Sequence, residues 1–96
     1  MIIDKGVASG EVITLKLTSG EEIIAKLVEE TPKGYKISKP LVLSMSQQGI
    51  GMMPYIFTAN VDKDILINYG AVAVVTTTEQ QFANQYTQGT TGIAMA

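Results

Sequence analysis

Apolar and polar positions alternate along most of this chain with the period of a β-strand. Val12-Ile13-Thr14-Leu15-Lys16-Leu17 sets Ile13, Leu15 and Leu17 on one face and Thr14 and Lys16 on the other. Thr18-Ser19-Gly20-Glu21 follows as a turn, with Gly20 free to adopt a positive φ. The alternation resumes from Ile23 to Glu30, with Ile23, Ala25 and Leu27 sharing a face, so the two runs predict a β-hairpin. Thr31-Pro32-Lys33-Gly34 is the next turn, with proline at its second position. Tyr35 to Leu43 predicts a third strand, bent at Pro40, which has no N–H to give to a ladder. Ser46 to Gly51 reads as a polar, glycine-bearing loop. Met52 to Thr58 predicts a fourth strand carrying Tyr55 and Phe57, and Pro54 inside it marks an edge or a bulge. Beyond the polar stretch Asn60 to Asp64, Ile65-Leu66-Ile67 is short and apolar. Tyr69-Gly70 interrupts it, and Ala71 to Thr76 predicts a fifth strand, apolar on both faces and therefore buried.

The period then changes. Thr78 can cap a helix, and Gln81 three residues on completes a capping-box pattern. Phe82, Ala83 and Tyr86 share one helical face, and Gly89 suits a helix stop. The predicted helix is 78–88, followed by a small, uncharged and mobile tail over 89–96. The N-terminal segment 1–11 contains Gly6 and Gly10 and is a poor helix. At 96 residues the chain is expected to be a single domain. The predicted fold is mainly β: a small, strongly bent five-stranded antiparallel sheet or open barrel over 12–76, with a C-terminal helix.

Composition narrows the chemistry. Hydrophobic residues are 46% and charged residues 17%, which favours a packed domain over a disordered chain. All seven cations are lysines, set against nine carboxylates, for a net charge of -2. Arg, His, Cys and Trp are absent. Without Cys there is no disulfide and no thiolate nucleophile. Without His as well, the standard structural zinc sets and the Ser-His or Cys-His nucleophilic systems are excluded. Without Arg the bidentate fork that reads guanine or clamps phosphate is missing. The acidic balance argues against a broad phosphate-binding face while leaving room for a local basic pocket. The longest aliphatic run, Ala71 to Val75, is far too short to span a membrane, and Met1 to Gly6 lacks the apolar stretch of a signal peptide. A soluble cytoplasmic protein is the expectation. After Asp64 only Glu79 carries a formal charge, so the final third is expected to pack against something, and oligomerisation would supplement a small core.

Individual motifs carry two readings each. Asn60-Val61-Asp62-Lys63-Asp64 spaces oxygen ligands like the start of a calcium loop, but Ile65 stands where glycine is required and no Glu follows, so a polar turn is expected. Glu21/Glu22 and Glu29/Glu30 are paired carboxylates, yet neighbours on a strand point to opposite faces, which does not suit a two-carboxylate catalytic cleft. Gly49-Ile50-Gly51 invites a phosphate-loop reading, but Pro54 occupies the place of the third glycine and no Gly-Lys-Ser/Thr follows, so a flexible hairpin loop is expected. Lys33, Lys36 and Lys39 are spaced by three, with Lys36 facing away from the others. With Tyr35 they form either a small basic and aromatic patch or an ordinary solvated surface. Phe82 and Tyr86 are a packing face against the sheet or a dock for a neighbouring subunit. Met45, Met52 and Met53 fill gaps in a small core or an interface. No constellation singles out an enzyme, a metal site or a cofactor, and none of these is expected.

The Val12–Leu27 hairpin, with Ile67 to Val72 near the end, resembles the two-part motif of the Sm-like (LSm) family, which includes the bacterial RNA chaperone Hfq. The chain also looks like the Sm-like proteins encoded by marine cyanophages. Leu15, Leu17, Ser19, Gly20, Ile23 and Leu27 fit the first part, and Ile67-Asn68-Tyr69-Gly70-Ala71-Val72 keeps the length of the second. Ser44 to Gly51 falls at the variable loop between them. The departures are specific. Ser19 replaces the usual Asp or Asn, and Ala25 a glycine. Thr31 and Tyr35 stand at the RNA-contacting Asp and Asn positions. Asn68 replaces the base-stacking Arg and Tyr69 the glycine after it. Tyr69-Gly70 also stands in place of the chaperone's Lys-His pair, and the helix is C-terminal rather than N-terminal. The resemblance implies a cyclic homo-oligomer in which strand four of one subunit pairs with strand five of the next. It also implies single-stranded RNA at the pore, with Tyr35 and Tyr69 as stacking faces, Lys36 or Lys39 on phosphate, and Asn68 on a base edge. The ring with weak RNA binding is the leading expectation; the acidic balance, the missing Arg and the charge-poor final third support the alternative, an oligomeric structural or protein-interaction module without nucleic acid.

Overall fold

The period-two pattern of 12–30 folds as predicted. In the computed structural model, which describes residues 2–3, 7–56, 58 and 62–95 (side chains for 7–56, 58 and 62–90), β2 (Val12–Leu17) and β3 (Glu22–Glu30) form an antiparallel hairpin. Its register sets Ile13 opposite Ala25 and Leu15 opposite Ile23, and all four are fully buried. Gly20 takes the turn at φ 110°, and its N–H donates to the Leu17 carbonyl at 2.9 Å. The Ser19 hydroxyl donates to the Glu21 carboxylate and holds that carboxyl below its ordinary pKa.

β4 (Gly34–Ser46) is longer than predicted and carries the expected bend. The β3–β4 register runs from Ile24 opposite Leu41 to Lys26 opposite Ser38, so Lys39 and Pro40 together oppose Ala25. This is a bulge, with Lys39 at φ 49°. The bend divides the outer edge of β4. Its first part pairs with β6 (Ile65–Asn68) and its last part with β5 (Gly49–Pro54). The predicted hairpin loop at Ser46–Gly51 is tighter than expected. Gln47 and Gln48 form the tip, Gly49 sits at φ 116°, and the Ser46 hydroxyl accepts the Gln48 N–H at 3.2 Å. The fourth predicted strand therefore starts three residues early and ends at Pro54, and Phe57 lies outside the described residues.

β6 runs into a 3-10 turn, Tyr69–Ala71, and then into β7 (Val72–Thr77), which pairs with β2. The two-residue β1 (Ile2–Ile3) lies parallel along β7 at Val74 and Val75. The sheet order is β1-β7-β2-β3-β4-β5, with β6 on β4. Six antiparallel strands thus form a strongly bent, open sheet. The 3-10 turn, not a ladder, carries the chain from the β4 edge back to the β2 edge. The concave side buries Ile13, Leu15, Ile23, Tyr35, Ile37 and Val75 completely.

The helix α1 (Gln80–Met95) covers part of the convex side. Its start and its end both differ from the expectation. The Glu79 carboxylate, not Thr78, accepts the first-turn N–H groups, from Gln81 at 3.1 Å and Phe82 at 3.4 Å. The Thr78 hydroxyl is turned to the Thr14 hydroxyl at 2.9 Å. Gly89 takes no positive φ and the helix passes through it, so the segment expected to be a mobile tail is helical as far as Met95. Thr90 is buried there, its hydroxyl donating to the Tyr86 carbonyl at 2.9 Å. Beneath the helix, Ile24, Leu41 and Tyr86 make a second buried cluster, flanked by Phe82, Leu43 and Met52. No helix among the described residues is long and apolar enough to cross a membrane.

Candidate functional site

Four of the five residues singled out by the resemblance meet at one corner, where the start of β4 lies against the end of β6. The register places Gly34 opposite Asn68, Tyr35 opposite Ile67 and Lys36 opposite Leu66. Gly34 permits this approach. A Cβ there would collide with the Ile67 carbonyl and sit 2.9 Å from the Asn68 Cα. The Tyr69 N–H donates to the Lys33 carbonyl at 3.1 Å, and the Thr31 hydroxyl accepts the Gly34 N–H at 3.1 Å, so the 3-10 turn and the β3–β4 turn are locked together.

The structure changes the role of three of those residues. Tyr35 is fully buried, because it alternates with Lys36 and shares its inward face with Ile37, so its ring faces the core and cannot take a stacked base. Tyr69 meets it edge-on, ring centroids 5.1 Å apart and planes at 83°. The Tyr69 hydroxyl lies 2.6 Å from a Glu30 carboxylate oxygen and 2.8 Å from the Thr31 carbonyl. That bond to Glu30 pushes its pKa up to about 12, and burial with the nearby Glu30 charge raises Tyr35 as well. Lys39 is not at this corner. It forms the β4 bulge, where its carbonyl and that of Ser38 each lie 2.9 Å from the Tyr86 hydroxyl.

What the corner offers is therefore small and mixed in charge. Asn68 and Lys33 are exposed, Lys36 is half-buried beside Glu29 on the neighbouring strand, and Glu30 is exposed at the rim. These groups can exchange hydrogen bonds with a ligand. They include no group poised as a nucleophile, and among the described residues no cluster of three metal-ligating side chains occurs. Asn60 and Val61 of the calcium-like run lie outside the described residues.

A second feature emerges only in three dimensions. β5 pairs with β4 on one side, and its other edge has no ladder partner among the described residues. The hairpin that carries it exposes Met45 by 82%, Ile50 by 48% and Met53 by 42%. Between Lys39 and Asp62 the sequence has no charged residue. That run of missing charge is a signal the sequence carried, and it marks an edge strand without the usual lysine guard. The chain matches no protein-family model, and no curated protein matches it.

Proposed function

We propose that this protein is an Sm-like module that assembles with copies of itself through its sheet edges and works by protein contact rather than by catalysis. The observation that carries this reading is the unguarded β5 edge on a charge-free hairpin with Met45, Ile50 and Met53 exposed. An open edge recruits a strand, and contiguous exposed apolar side chains mark an interface. The natural complement is the outer edge of β7 in a second copy, where, among the described residues, β1 pairs with Val74 and Val75. Pro54 stands at the last position of β5, so its missing N–H leaves the rest of the seam intact. Light scattering on the purified chain is the test. A mass that is a multiple of 10.3 kDa at micromolar concentration is expected, and a monomer overturns the reading.

Weak binding of single-stranded RNA is the second reading, favoured by the meeting of Lys33, Lys36, Asn68 and Tyr69 at one corner. Loss of the Tyr35 face and of Lys39, together with Glu29 and Glu30 at the rim, lowers its weight. Fluorescence anisotropy with oligo(U) and oligo(A) at low salt tests it. Binding that weakens with salt and with Lys36→Ala supports it, and no anisotropy change removes it.

A further inference from the structure

We propose that the convex face carries a binding groove for a short basic, apolar segment of a partner protein. The groove has a volume of about 480 Å³ and lies between the first turn of α1, the β2–β3 turn and the β4–β5 hairpin. Its apolar lining comes from Ile24, Val42, Leu43 and Phe82, and Met45 and Ile50 make one wall. The polar rim is one lysine, Lys16, against three carboxylates, Glu21, Glu22 and Glu79. Lys16 and Glu22 are directly opposite in the β2–β3 register, which leaves Glu21 and Glu79 as the rim carboxylates with no lysine opposite them.

Charge complementarity selects the occupant. An anion is disfavoured although a helix starts here, because the Glu79 carboxylate already accepts the Gln81 and Phe82 N–H groups. Glu21, held ionised by the Ser19 hydroxyl, faces the same trough. A leucine or isoleucine of the partner would bury on the apolar lining, and a flanking lysine or arginine would lie between Glu21 and Glu79. The wall is a strongly exposed methionine rather than a closed rim, so the site is an adaptable trough suited to a peptide segment. The inference does not rest on the assembly reading. Met45 and Ile50 are common to both readings, but the groove is defined by Ile24, Leu43, Phe82 and its carboxylate rim, none of which the β5 seam uses.

Titration of the isotope-labelled chain with a short peptide alternating Lys and Leu, followed by amide chemical shifts, tests the groove. A matched Glu/Leu peptide is the control. Shifts are expected around Thr14, Gly20, Ile24, Leu43 and Phe82 with the Lys/Leu peptide only. The double variant Glu21→Lys with Glu22→Lys, its fold checked by thermal melting, is expected to weaken binding by roughly tenfold or more through like-charge repulsion. Three outcomes overturn the proposal: no shifts at those residues, equal binding of the Glu/Leu peptide, or a double variant that changes self-association instead, which would assign the groove to a second copy. A chain that stays monomeric yet binds the Lys/Leu peptide would retain the groove and reject the assembly.

Discussion

Tyr86 shows how one side chain joins the helix to the sheet. Its ring is buried against Ile24 and Leu41, and its hydroxyl reaches the Ser38 and Lys39 carbonyls at the β4 bulge. Burial pushes its pKa up to about 12, above the ordinary value of 10.0. The fold therefore favours the neutral phenol. Its contribution is complete below pH 10 and is lost as pH rises through about 12. Tyr86→Phe is expected to lower stability at neutral pH by about 1 kcal/mol, because it removes the hydrogen bond from the buried hydroxyl to those carbonyls. It should also flatten the alkaline fall, with the remaining slope coming from Tyr69 and Tyr35. Urea unfolding at neutral pH and across the alkaline range measures both effects, and an unchanged alkaline slope would contradict the assignment. Gly34 is the second decisive residue. Gly34→Ala drives a Cβ into the backbone of β6, where no rotamer relieves it, so a loss of about 3 kcal/mol is expected in the same unfolding assay.

At the level of elements, the hairpin of β2 and β3 was legible because its alternation is clean and Gly20 marks the turn. The bend at Pro40 was legible for the same kind of local reason, the missing N–H. The hairpin of β4 and β5 was legible but the tightness of its turn was hidden, because Gln47 and Gln48 carry no turn signature and Gly49 with Gly51 reads as a longer loop. Tyr35 misled for a different reason: its kinship with Lys36 in sequence suggested a patch, while the strand period that buries it with Ile37 gave the true answer. The steric role of Gly34 and the positive φ of Lys39 depend on strands distant in sequence and had no local signal. The helix start was ambiguous because two capping residues adjoin. Their division of labour makes a prediction. Glu79→Ala removes the acceptor of two first-turn N–H groups and is expected to cost about 1 kcal/mol, with fraying visible in circular dichroism. Thr78→Ala removes one hydroxyl pair with Thr14, so helix content should be unchanged.

For the whole molecule, the distribution of charge separates two kinds of contact. The β4–β5 hairpin and its continuation carry none between Lys39 and Asp62, so an assembly through β5 must be held by backbone hydrogen bonds and apolar burial. Such a seam should be nearly insensitive to salt, since screening acts on charges. The convex groove, rimmed by carboxylates, should lose its peptide as salt rises. A lysine placed on the edge strand tests the seam directly. Met53 is exposed in β5 and makes no part of either buried cluster, so Met53→Lys should change monomer stability by no more than about 0.5 kcal/mol. On the seam the same ammonium would have to be desolvated beside a neighbouring strand, a cost with no carboxylate on the hairpin to offset it. The expected result is a scattering mass that falls to 10.3 kDa with an unaltered circular dichroism spectrum. An assembly that survives Met53→Lys but dissolves in salt would place the contact on a charged surface and remove β5 from it.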